Sequence, residues 1–575
     1  MPNAKRRVGC LRHGLLVAAC AGPLAALWAT PAQPAETAQA AQTAPTAETA
    51  PPAAVPAPAL ASPTTPDVAP VVQVRQYVVL GATLLPPSTV EAALAGLTGP
   101  RTVEELHRAA ADVQALYSRV GYGAVVVYLP PQEVSGGVIT LQVIEGRLSA
   151  VRVEGAGSPA DEAAVLASLP ALKTGQTPRI DQLDLQLRLA NANPARRLRL
   201  VLLPGQQPEQ TEAEVAVQPG ARRQVSLDLD NTGPPGTGRA RLALGWRDAD
   251  FSARDDVLDL RLQLSPDQPR RFAAASLNYR LPLYDHATLL DAYALVSDTQ
   301  SSRIPTAAGD LRFAGRGDLL GARATRYLPR LEVFEQRLAV GLERRAQRNQ
   351  CAIGTLPGDA CGSAGGDLVI TPLSVEYSVA GDAELPLALS ATLVQGLSTG
   401  GRHGGRAAFE AVRPGARPDF TLLRLEGNLL SPLGPQGWEA GARLAAQWAA
   451  QALVPAMQFG AGGRDSVRGY EERELAADHG IALSLELSAP RQPIAPWPGA
   501  VWRALVFADA AQLRNRAAAP CSGALVDCVL ASAGVGLRLD AGALHLQVDL
   551  AHTLHAAGTT ERSQTRALLW LHAVH

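Results

Sequence analysis

Long apolar runs are scarce in this sequence. Beyond the first 30 residues, no stretch approaches the ~18 to 20 apolar residues that a spanning helix needs, which argues against a helical membrane protein. Charge of one sign is not in excess either. The 52 basic and 53 acidic side chains nearly cancel, so the whole chain carries no electrostatic footprint for nucleic acid. There is no G-x-x-x-x-G-K-[ST] loop, no G-x-S-x-G elbow and no HExxH, and the ten histidines lack metal-ligand spacing. The expectation is therefore no catalytic residue, no metal and no cofactor. Aromatic residues make up only 4%, so any belt of them must be thin.

Cysteines number six, and their places are informative. Cys10 and Cys20 fall in a leader-like start: Lys5, Arg6, Arg7 and Arg12 are followed by a mainly apolar run, Leu15 to Trp28, and by small residues up to Ala35. That order reads as a signal peptide over 1–35. "VAAC" at 17–20 leaves open a lipoprotein cleavage with Cys20 as the acylated residue. The remaining four form two close pairs, Cys351 with Cys361 and Cys521 with Cys528, without CxxC spacing. In an exported chain, such pairs fit loop-stapling disulfides, with metal binding the competing reading.

Residues 36–72 are rich in Ala, Pro and Thr and poor in large apolar groups, as expected of an extended tether. From about 73 to 147 the texture becomes that of a small α/β unit of order β-α-α-β-β. A strand over "QYVVLGATLL" is expected first, then helices opened by Ser88-x-x-Glu91 and Thr102-x-x-Glu105 capping boxes. Gly121 stands where a C-terminal cap glycine belongs. The same order returns over 148–220, with helices starting at Ser158-Pro159 and Thr177-Pro178. Two copies of one domain of about 75 residues are read from this repeat.

From 221 onward the period changes to two. Leu258, Leu260, Leu262 and Leu264 alternate with Asp259, Arg261 and Gln263; Ile481, Leu483, Leu485 and Leu487 alternate with Ala482, Ser484, Glu486 and Ser488; Leu544 to Leu550 alternate with His545, Gln547 and Asp549. One face of each strand is an apolar band and the other is polar or charged. Over 221–575, in an exported chain, this pattern points to a closed transmembrane antiparallel β-barrel, since lipid cannot satisfy an open sheet edge. At roughly 22 residues per strand and connection, about 16 strands fit.

"GYGAVVVYLPPQEVSGGVITLQVIEGRLSAVRVEG" (121–155), "DNTGPPGTGR" (230–239) and "VRGY" (467–470) carry a resemblance. In this order they resemble the translocators of two-partner secretion, the hemolysin secretion/activation family, over about 73–575. The resemblance implies two periplasmic POTRA domains (73–147 and 148–220) before an outer-membrane barrel (221–575). It also implies an extracellular lid loop near 460–480 folded into the lumen. In the family the Arg of the loop motif is held by the Asp of a strand motif F-x-D-x-G. Here the loop motif is Val467, Arg468, Gly469 and Tyr470. The strand motif is "FADAA", with Phe507 and Asp509, and with Ala511 at the family's glycine position. Alternation along "RALVFADAA" puts Phe507 and Asp509 on one face. The implied role is export of one large, unfolded exoprotein partner (an adhesin, cytolysin or toxin), captured by the POTRA domains and passed through the pore. The implied protein acts as a monomer in outer-membrane lipid, without nucleic acid. The alternative is a barrel-assembly factor of the same superfamily.

Overall fold

The computed structural model describes residues 71–575 apart from 135, 302–303, 307–308, 354–365, 496 and 523–524. The leader and tether expected over 1–70, and Cys361, lie outside these residues.

In the first α/β unit, Gln76–Leu80 runs parallel to Val138–Glu145, and Val125–Tyr128 pairs antiparallel on the other side. Helices Pro87–Leu94 and Val103–Arg119 cover this sheet. They bury Val90, Leu106, Val113 and Tyr117 against Ile139, Leu141 and Val143. The longer helix begins with a complete capping box: the Thr102 hydroxyl accepts from the Glu105 N–H, and the Glu105 carboxylate accepts from the Thr102 N–H at 2.8 Å. Gly121, at φ +95°, follows its C-cap. The second unit repeats the topology. Arg147–Glu154 is parallel to Gln210–Pro219, Arg196–Pro204 is antiparallel to it, and helices Pro159–Ala167 and Ile180–Ala190 cover them.

Three local expectations are corrected. The strand expected over 76–85 stops at Leu80, because Gly81 turns the chain at φ +84° and any Cβ there would meet the Val143 carbonyl oxygen at 2.3 Å. Ser88 does not cap: Pro87 opens the helix with Pro86 before it, which leaves Ser88 inside the first turn. Thr177 does not cap either. The second long helix starts at Ile180 after Arg179, and the Thr177 hydroxyl donates to the Glu145 carbonyl at 3.2 Å. The first unit also has a ribbon, Val71–Val74 with Gly99–Thr102, beyond the expected order.

Two residues of the 121–155 stretch, Gln132 and Glu145, have plain structural work. Glu145, 8% exposed, accepts the backbone N–H groups of Thr83 (2.7 Å) and Leu84 (2.8 Å), the Thr83 hydroxyl and the Tyr117 hydroxyl (2.9 Å). Burial pushes its carboxyl up, but these four hydrogen bonds outweigh burial and hold it below the usual carboxylate range. Gln132 stands in for a missing strand. Its amide donates to the Thr140 carbonyl (2.8 Å) and accepts from the Thr140 N–H (2.7 Å), just beyond the end of Val125–Tyr128.

Residues 223–574 close an antiparallel barrel, from Arg223–Asp230 round to Thr565–Val574. Sixteen strands span it; the short pieces 304–306, 368–370 and 492–493 only extend neighbours. Along Val501–Arg514, Leu505, Phe507, Asp509 and Ala511 are buried inside, while Ala504, Val506, Ala508 and Ala510 face outward. Outward leucines such as Leu262, Leu320 and Leu485 remain exposed to the surroundings, as a lipid-facing band requires. Trp438 and Trp502 stand exposed at one end of their strands and Trp448 at the other, a sparse aromatic belt.

The second α/β unit is docked on one rim of the barrel. Leu185 and Leu189 of its long helix pack against Tyr284, Ala287, Leu289 and Tyr327. Arg188 donates to the Leu328 carbonyl (2.6 Å), Arg330 pairs with Asp184 (2.9 Å), and Asp255 receives Arg196 and Asn193, each at 2.6 Å. The loops 397–420, 450–478 and 515–526 therefore lie at the opposite end.

Candidate functional site

The connection from Trp438–Ala449 to His479–Ser488 folds back into the barrel instead of extending from it. A two-stranded ribbon, Phe459–Ala461 with Leu475–Ala477, carries residues 462–474 at its tip. Apolar burial holds the tip at two points. Val467 and Tyr470, both at 0% exposure, pack with Leu475, Ala482, Ala511, Leu513 and Leu530 of the ribbon and the wall. The Tyr470 hydroxyl donates to the His555 carbonyl (2.8 Å) and accepts from the Ala531 N–H (3.2 Å). Gly469 is at φ +96°, and a Cβ there would sit 3.1 Å from Thr553 and 3.4 Å from Ala551. Only glycine takes that turn so close to the wall without strain.

Arg468 lies between these anchors and is 1% exposed. Its Nε and Nη2 donate to the two oxygens of Asp509 at 2.7 Å each, a bidentate pair, and its backbone N–H adds a third bond at 3.1 Å. Nη1 donates to Glu486 (2.7 Å) and Nη2 also to the Ser484 hydroxyl (3.1 Å), which in turn donates to Asp509 (2.7 Å). The guanidinium lies 3.4 Å from the centre of the Phe507 ring, a cation–π contact. Phe507 fits because Gly534, opposite it in register, leaves space: a Cβ there would meet its ring at 2.4 Å.

Two further groups complete the charge balance. Asp549 stands 4.0 Å from Arg468 and is bonded by Arg538 at 2.7 Å, while Arg443 lies 3.6 Å from Glu486. Three carboxylates thus face three guanidinium groups, and only Arg468 comes from the loop. The sequence singled out Arg468, Phe507 and Asp509, which the structure brings together. It did not single out Ser484, Glu486, Arg538 or Asp549 as partners. Ser484, Glu486 and Asp549 carried a signal, since each is a polar residue on the inward face of an alternating strand.

The disulfide candidates sit elsewhere. Cys521 and Cys528 are bonded, with Cα atoms 6.2 Å apart, tying the loop after Val501–Arg514 to the start of the wall strand Asp527–Ala541, and Cys528 packs in the lid loop's apolar cluster. Cys351 lies at the end of Phe334–Ile353. Among the described residues, no cluster of His, Cys, Asp and Glu could hold a metal.

The profile described as haemolysin secretion/activation protein ShlB/FhaC/HecB matches residues 209–539. The chain belongs to this family. The ShlB-type POTRA domain profile matches 72–146, so the first α/β unit is a POTRA domain. The outer membrane transporter CdiB of Escherichia coli is 24% identical over 399 residues, 65% of this chain and 61% of that protein. The heme/hemopexin transporter protein HuxB of Haemophilus influenzae is 22% identical over 193 residues, 34% of this chain and 33% of that protein. The match thus spans less than two thirds of these curated relatives. CdiB from Escherichia coli, as a solved structure, gives a TM-score of 0.74 at 20% identity, covering 89% of this chain and 93% of that one. CdiB from Acinetobacter baumannii gives 0.69 at 15%, covering 88% and 90%. At such identities the likeness establishes the fold. As a ShlB/FhaC/HecB-type protein the chain lies in the outer membrane with its N-terminal units in the periplasm, and the family is one of secretion, not catalysis.

Proposed function

We propose that this chain exports one large exoprotein, unfolded, from the periplasm to the cell surface. Loop 450–478 serves as a lid held at rest by Arg468 and Asp509. The observation that carries this reading is the lid tip itself: a buried, bidentate ion pair joins a loop to a wall strand inside a barrel that follows two α/β units, the second docked on its rim. A plain porin has no use for those units. The supporting context is family membership, together with relatives whose names describe outer-membrane and heme/hemopexin transporters.

Capture of the cargo is assigned to the first POTRA domain. Its strand Val125–Tyr128 is a sheet edge beside helix Val103–Arg119, and between them lies a groove of about 520 Å³ lined in part by His107, Ala111, Ala115, Val127 and Tyr128. An extended segment can add to such an edge through main-chain bonds, with side chains choosing the partner. The proposed cargo is an adhesin, cytolysin or toxin, and the protein acts as a monomer in outer-membrane lipid.

The test compares culture medium and outer membranes from a strain lacking this gene with those of its parent. Loss of one large secreted protein, with other barrels unchanged, is the expected result. Depletion of many barrels with no missing exoprotein would instead identify an assembly factor and overturn the reading.

A further inference from the structure

Ten residues beyond Arg468, at the root of the same loop, stands a second buried carboxylate that the lid motif does not account for. Asp478 is 0% exposed. It is ion-paired with Arg413, whose Nη2 donates to Asp478 at 2.8 Å and to Asn515 at 3.0 Å, and whose Nη1 also reaches the Leu453 carbonyl at 2.5 Å. Asp478 further accepts the backbone N–H groups of Leu453 and Arg516, each at 2.9 Å. Asn515 Oδ1 accepts in turn from the Asp478 N–H at 3.2 Å and from Gln458 at 3.2 Å.

These residues come from three separate outer loops. Arg413 follows the helix Arg406–Val412 in loop 397–420, Asp478 ends the lid loop 450–478, and Asn515 begins loop 515–526. Around them lies an apolar seal: Phe409, Ala416 and Phe420 of the first loop pack on Leu453, Val454 and Met457 of the lid loop. Ala416 and Ala452 form a parallel β-bridge between the two loops. Apolar contacts alone can slide in small steps. A fully buried carboxylate with one guanidinium partner cannot, because partial separation leaves a charge without solvent or counter-ion.

We propose that Arg413, Asp478 and Asn515 form an outer lock, distinct from the Arg468–Asp509 anchor, that holds loop 397–420 and the root of the lid across the mouth and must release before cargo leaves. The proposal rests on the translocator reading. Arg413 is a positioning residue, acting through Asp478. The tip anchor holds the loop against one wall inside the lumen, whereas the lock joins the loops to one another. The two closures are therefore separable by mutation.

The test uses the full chain. In planar bilayers, Arg413→Gln barrels that keep the parental heat-modifiable mobility should open about tenfold or more often than the parent. Arg413→Lys, which keeps the charge, should recover part of the closure. In cells, Ala416→Cys with Ala452→Cys places a disulfide across the β-bridge, where paired Cα atoms lie within bonding reach. Oxidised, this staple should stop cargo reaching the medium, and reductant should restore it. Parental gating in a folded Arg413→Gln barrel, or parental secretion through the oxidised staple, overturns the proposal. Gating is read without cargo, so a failed lock is distinguishable from a failed translocator reading, which would appear as an unchanged medium after gene loss.

Discussion

Arg468 is the sole loop cation in a group of six charges that is otherwise supplied by the wall. Its removal leaves three carboxylates facing Arg443 and Arg538, so the wall, not the loop, bears the electrostatic penalty. Taking one partner from a largely desolvated pair costs about 3–5 kcal/mol, less where lumen water reaches it. Arg468→Asp and Asp509→Arg should each increase pore conductance and detergent sensitivity, and the double exchange should recover much of the parental tightness. A double variant no better than the singles, in the same conductance assay, would break the pairing. Gly469→Ala should loosen the lid without touching a charge, since it places a methyl group 3.1 Å from Thr553 at φ +96°. The face shared by Phe507 and Asp509 was legible from period-two alternation. The height at which Asp509 meets Ser484 was not, because register belongs to two strands at once and neither sequence alone states it.

Among the elements, the first POTRA domain shows how one residue of the 121–155 stretch becomes a structural hub. Glu145 gathers the Thr83 and Leu84 amides, the Thr83 hydroxyl and the Tyr117 hydroxyl, tying a turn, a helix and a strand. Its folded pKa is depressed, so its stabilisation is present above the unfolded value near 4.3 and is lost as pH falls through the folded value. Glu145→Gln should weaken the domain by about 1–3 kcal/mol at neutral pH and flatten its acid dependence. Hydrogen exchange at the Thr83 and Leu84 amides across a pH series measures both effects. The Thr102 and Ser158 caps were readable because each hydroxyl directly precedes its helix. Ser88 misled because Pro87 already opens its helix, and Thr177 because its helix begins only at Ile180 after Arg179; a spacing rule does not see φ.

At the scale of the whole molecule, the barrel was visible as alternation, but its joint with the second α/β unit was not. Arg188, Asn193 and Arg196 read as ordinary surface polar groups, and only the fold sets them against the rim at Leu328, Ala249 and Asp255. Asp255 receives Asn193, Arg196 and Tyr284 together at a turn with φ +63°. Asp255→Ala should let the second unit swing on the barrel, seen as broader distances between spin labels on that unit and on the rim, with barrel folding unchanged. A narrow, parental distribution would mean that the apolar patch of Leu185, Leu189 and Tyr327 holds the joint alone. The lid has a different relation to the barrel, being rooted at both ends in neighbouring strands, Trp438–Ala449 and His479–Ser488. Arg468 therefore meets Asp509 as a tethered reactant, at an effective concentration set by the length of loop 450–478 and not by how many copies the membrane holds. Under the proposed export role, reclosure would be a first-order return, and its rate should be the same for a sparse membrane as for a crowded one.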